Sequence, residues 1–77
     1  MPSAPPPPWI LARRRALGDR IREARTAQKL SQEKLAELAG LDRQSINRIE
    51  MGHQAAVVDN LFRIARALDV PLADLVR

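Results

Sequence analysis

From residue 17 to residue 68, apolar side chains return at every third or fourth position, the period of one helix face and not the two-residue alternation of a strand. Leu17, Ile21, Ala24 and Ala27 predict a first helix over about 13–28. Pro8 would suit a first helical position, so an earlier start is compatible with the chain. Ser31 is a good N-cap and Glu33 sits where the helix dipole favours an acid, which predicts a second helix over 32–39. Gly40 should end it in the left-handed region, Asp42 should restart a third helix running to about 51, and Gly52 should end that one in the same way. Val58, Leu61, Phe62, Ala65 and Leu68 predict a fourth helix, and Pro71 opens a short fifth through Leu75. The predicted fold class is all-α.

The third helix has two unlike sides. On a helical wheel Ile46 and Ile49 point one way with Glu50 beside them, while Gln44, Asn47, Arg48 and Met51 point the other. Two short helices joined by a three-residue link that starts with glycine, 40–42, have the geometry of a helix-turn-helix. Ala36, four residues before Gly40, suits a close helix crossing, and Leu41 can plug the turn. A polar outer face is by itself ordinary for a surface helix. Arg, however, can pair with guanine O6 and N7, and Gln or Asn with adenine N6 and N7, and the second helix of this motif lies in the major groove. Spacing, turn and caps together favour a base-reading row.

Composition narrows the picture further. A chain of 77 residues forms one small domain with little net stability to spare. It has no Cys, and His53 is its only His, so neither a disulfide framework nor a Cys/His metal site can supplement the core. A second protomer is the expected aid. The formal charge of +4 is uneven: residues 1–30 carry seven Lys/Arg against two acids, and residues 31–77 carry six against seven. Residues 1–12, with prolines running from 2 to 8, are expected to form a flexible arm, and 13–77 the helix-turn-helix domain. A polyproline recognition motif is the alternative to a plain tail. The arm does not read as a secretory signal, because its apolar run, 9–12, precedes the positive charges. Nothing in the sequence reads as a membrane span. The expected compartment is the cytoplasm.

Three segments, "LSQEKLAELAGL", "SINRIEMG" and "LFRIARALDVPLADL", stand in an order and spacing that resemble the Xre/Cro-type, lambda-repressor-like helix-turn-helix family in its five-helix form. The resemblance covers residues 17–77. It implies that Gln32 grips a phosphate, that Arg43, Gln44 and Arg48 reach bases from a recognition helix over about 43–51, and that Ser45 touches the DNA backbone. Asn47 is a secondary candidate. It also implies an ion pair between Arg25 and Glu50, and Glu50 beside a buried face would indeed be costly without a cation. The segment "HQAAVVD", 53–59, departs from the family in lacking lysines, a proline and a Ser cap. Arg13, Arg14 and Arg15 could compensate, because affinity for a duplex follows the number of phosphates neutralised.

Enzyme chemistry finds no constellation here: three scattered Ser residues face one His, and the three glycines are isolated at 18, 40 and 52. The expected function is that of a sequence-specific regulator binding double-stranded DNA without cofactor or metal. The alternative is a protein-interaction adaptor or antitoxin-like partner on the same fold. Leu72, Leu75 and Val76 look too many apolar side chains for a short terminal helix to bury in its own core. They predict a homodimer interface that would present two recognition helices about 34 Å apart.

Overall fold

The computed structural model describes residues 4–77. Five helices follow one another: α1 (Pro8–Ala27), α2 (Gln32–Ala39), α3 (Arg43–Glu50), α4 (Val58–Leu68) and α5 (Leu72–Val76). The described residues contain no strand, in agreement with the all-α reading.

α1 begins five residues before the expected Arg13, which corrects the boundary of the arm. Residues 8–12 are helical, residues 4–7 have no regular secondary structure, and the part of the arm at 1–3 lies outside the described residues. Pro8 opens the helix where its missing N–H is not needed, and the Pro7 carbonyl accepts from the N–H groups of Ile10 at 3.0 Å and Leu11 at 3.3 Å. Trp9 and Leu11 on this added stretch are 67% and 46% exposed, so no buried stripe marked it in the sequence.

The helix-turn-helix is built from local caps. Ser31 Oγ accepts from the Lys34 N–H at 2.9 Å and starts α2. Gly40 ends it at φ 71°, a conformation that costs residues with a Cβ about 1–2 kcal/mol. The Leu41 N–H then returns to the Ala36 carbonyl at 2.9 Å. Asp42 restarts the chain as α3, its Oδ1 accepting from the Ser45 N–H at 2.7 Å.

One core joins all five helices. Ile21 enters from α1, Leu35, Ala36 and Ala39 from α2, Ile46 and Ile49 from α3, and Ile64, Ala65 and Leu68 from α4. Leu75 enters from α5 and is 2% exposed, which corrects the expectation that it faces a second protomer. Burying a whole leucine side chain is worth about 1.5–3 kcal/mol, and a small core has need of it. Leu72 is half-buried against the same core, and Val76 remains 40% exposed. On α4 the buried stripe is Ile64, Ala65 and Leu68, with Leu61 half-buried in line with it, while Val58 and Phe62 face solvent. Two overlapping apolar stripes run along this helix, and α1, α2 and α5 cover only one. Side chains of α1 and the turn after it hold the far ends: Arg13 Nη2 donates to the Val76 carbonyl at 3.2 Å, and Gln28 Nε2 to the Leu68 carbonyl at 2.6 Å.

Candidate nucleic-acid interface

α3 is fixed from its inner side. Ile46 and Ile49 are buried, and Glu50 beside them is 5% exposed, the one buried charged residue among those described. Its carboxylate accepts from Arg25 twice, Nε to Oε2 at 2.7 Å and Nη2 to Oε1 at 2.9 Å. This is the two-point geometry in which a guanidinium recognises a carboxylate most strongly. Arg25 Nη1 donates in addition to the Leu30 carbonyl at 2.7 Å. A single side chain of α1 therefore holds both the entrance to α2 and the end of α3. The hydrogen bond to Glu50 raises the Arg25 guanidinium above its ordinary pKa, with the charge of Glu50 adding to the effect and partial burial opposing it.

Gln32, the first residue of α2, completes the arrangement. Its Nε2 donates to Glu50 Oε1 and to Asn47 Oδ1, each at 3.2 Å. The sequence put Gln32 and Asn47 on one prospective surface. The structure brings them into contact across the two helices, a link that no local signal carried.

On the outer side, Arg43, Gln44, Asn47 and Arg48 are exposed together, with Met51 51% exposed beside them. Ser45 is half-buried, and its hydroxyl donates to Asp42 Oδ2 at 3.1 Å, so it first serves the cap of α3. The Ser45 N–H, then its hydroxyl, hold the Asp42 carboxyl below the usual carboxylate range. The arginines at 13–15 divide. Arg13 and Arg14 line a groove shared with α5, whereas Arg15 packs its backbone against Gly52, where a Cβ would stand 3.0 Å from Arg15 Cα.

Gly18 is the positioning residue that sequence reasoning missed. It allows α1 to lie against the last turn of α3, where a Cβ would fall 2.5 Å from the Ile49 carbonyl oxygen. A signal was present: glycine inside a helix costs about 1 kcal/mol relative to alanine, and close backbone approach is a reason to retain it.

Comparison with known proteins agrees with this geometry. The helix-turn-helix family model HTH_3 matches residues 21–75. An uncharacterized transcriptional regulator in the ATPase CF(0) region of Rhodospirillum rubrum is 41% identical over 56 residues, which are 73% of this chain and 52% of that protein. The chain thus spans about half the length of that relative. Among solved structures, the restriction-modification controller protein C.AhdI from Aeromonas hydrophila superposes with a TM-score of 0.81 at 42% identity, over 83% of this chain and 97% of that one. The hypothetical transcription factor NHTF from Neisseria gives a TM-score of 0.82 at 28% identity, over 100% of this chain and 86% of that one. The match from α1 to α5, together with the capped two-helix unit at its centre, means that this chain belongs to the HTH_3 helix-turn-helix family.

Proposed function

We propose that this protein is a sequence-specific transcriptional regulator that binds double-stranded DNA with α3 in the major groove. The observation that carries the reading is the two-sided character of α3. Its inner side is locked by Ile46, Ile49 and the Glu50–Arg25 pair, and its outer side offers Arg43, Gln44, Asn47 and Arg48 to solvent. A locked helix with free amide and guanidinium groups suits direct readout of base edges. An interface for another protein would call for apolar or aromatic anchors, and on this row only Met51 is apolar.

In this reading Arg43, Gln44 and Arg48 contact bases, with Asn47 second to them. Gln32 already donates its amide to Asn47 and Glu50, so it aligns α3 against α2. Phosphate contact then falls to the backbone N–H groups of the first turn of α2, where the helix dipole favours an anion. Ser45, in the first turn of α3, touches the DNA backbone in the same reading. The protein acts in the cytoplasm as a homodimer, with Val76 and Leu72 of α5 supplying the contact and Leu75 supporting it from the core. Among the described residues no helix is long and apolar enough to cross a membrane.

Selection of bound sites from random duplex DNA tests the whole reading. The expected result is an enriched consensus with twofold symmetry. Recovery of unenriched DNA would reject sequence-specific binding.

A further inference from the structure

The groove between the N-terminal half of α1 and α5 has an apolar floor and a cationic rim. Leu17, Leu75 and Ala56 contribute to the floor of a cavity of about 330 Å³, and Arg13, Arg14 and Arg20 stand around it with no carboxylate in the lining. Among the described residues none of these three arginines forms an ion pair; Arg13 only donates to the Val76 carbonyl. Three arginines lining one apolar slot, with no carboxylate among the lining residues, favour an anion over a cation there. The volume is at the lower end of the roughly 300–1,000 Å³ of small-molecule sites, which fits one short chain and not a bulky cofactor. The larger hollow between α2 and α4, about 730 Å³, sets Asp59 beside Arg63 and Arg66 and so lacks this one-sided charge.

We propose that the α1–α5 groove binds a small amphiphilic anion, a carboxylate carrying an unbranched apolar tail. The carboxylate meets the guanidinium groups of the lining, and the tail covers Ile10, Leu17, Ala56 and Val76 above the buried Leu75. A phosphate of DNA could satisfy the arginines but would leave the apolar floor open to water. Because the site requires no DNA, its test is independent of the DNA readout proposed above; Val76 belongs both to this lining and to the proposed dimer contact, so a bound anion and a second protomer compete for it.

Sodium octanoate, sodium acetate and octyltrimethylammonium serve as probes, titrated into the full chain by calorimetry while backbone amide NMR spectra locate the contact. The expected result is saturable binding of one octanoate per chain, about tenfold or more tighter than either control. Amide shifts should be confined to the N-terminal half of α1, residues 55–56 and α5. Arg14→Gln with Arg20→Gln should weaken octanoate about tenfold at unchanged helix content. Ala56→Leu, which fills the slot without touching the arginines, should block octanoate in a folded protein. Equal binding of acetate would mean an adventitious ion only, and equal binding of the cation would mean unspecific greasiness. Either result overturns the proposal, as would shifts centred on Arg43 and Arg48. Diluting the protein alone should shift only α5, where the proposed dimer contact lies; dilution shifts that extend to the N-terminal half of α1 and to residues 55–56 would assign the groove to contact between two copies, and the proposal would again fall.

Discussion

Gly18 of α1 lies directly against the backbone carbonyl of Glu50 in α3, closer than any residue with a Cβ could approach. The opposing atoms are backbone, so no side-chain rotation can make room. Gly18→Ala should lose about 1–3 kcal/mol net of alanine's better helix propensity, because α1 and α3 must separate. Urea denaturation measures the loss. A variant as stable as the parent would mean that the helices do not approach so closely.

Arg25 and Glu50 should behave as one unit. Their side chains are only 12% and 3% exposed, so removal of one partner strands the other charge in a poorly hydrated site. Arg25→Ala or Glu50→Ala should cost roughly 3 kcal/mol, and the double variant clearly less than the sum of the two. A double-mutant cycle provides the measurement. Small additive losses would indicate two independent residues and leave α3 without its main anchor.

Readout and alignment should separate experimentally. Gln44→Ala or Arg48→Ala should cost about 1–3 kcal/mol on the selected site and relax base preference at particular positions. Gln32→Ala should weaken binding to all sequences alike and leave the preferred site unchanged. Binding to a panel of single-base variants distinguishes the two patterns. An unaltered preference in both Gln44→Ala and Arg48→Ala would remove α3 as the reader.

Asp42 should introduce acid sensitivity. Its folded pKa is depressed by the Ser45 N–H and hydroxyl, so its contribution to stability is complete above the unfolded value of about 3.9. That contribution is lost as pH falls through the depressed folded value. Asp42→Asn keeps an acceptor for the cap but has no proton to gain. Plotted against pH, the urea midpoints of the parent and of Asp42→Asn should differ near neutrality and converge in acid. A gap of constant size would show that Asp42 caps α3 through shape and not through charge.

Val76 gives a clean test of association, because it is 40% exposed whereas Leu75 is buried. Leu75→Glu would damage the core and confuse folding with assembly. Val76→Glu should fold normally and change a two-protomer complex on the selected site into a weaker, stepwise one, read as stoichiometry in a mobility or sedimentation assay. An unchanged two-protomer complex would place the dimer contact elsewhere.

The central motif was legible because its determinants are local. Ser31, Gly40 and Asp42 act on backbone groups within a few residues of themselves, so α2 begins and ends where the sequence placed it and α3 starts one residue after its cap. The exposed side of α3 was legible for a similar reason: a fixed helical period sorts Ile46 and Ile49 from Gln44, Asn47 and Arg48 before any partner is known. The start of α1 was not, since Trp9 and Leu11 add helix without adding buried surface.

Sequence alone therefore determined α2 and α3 with their caps, the presence of the other three helices, and the chemistry offered by the outer row. Tertiary structure decided which of two apolar stripes on α4 is covered, that Leu75 closes the core, that Gln32 donates to Asn47, and that Gly18 admits the end of α3. Periodicity gives the direction of a side chain about its own helix axis. Whether that side chain meets water, a partner atom or a backbone carbonyl depends on how separate helices cross, and the crossing is set by the packing of all five together.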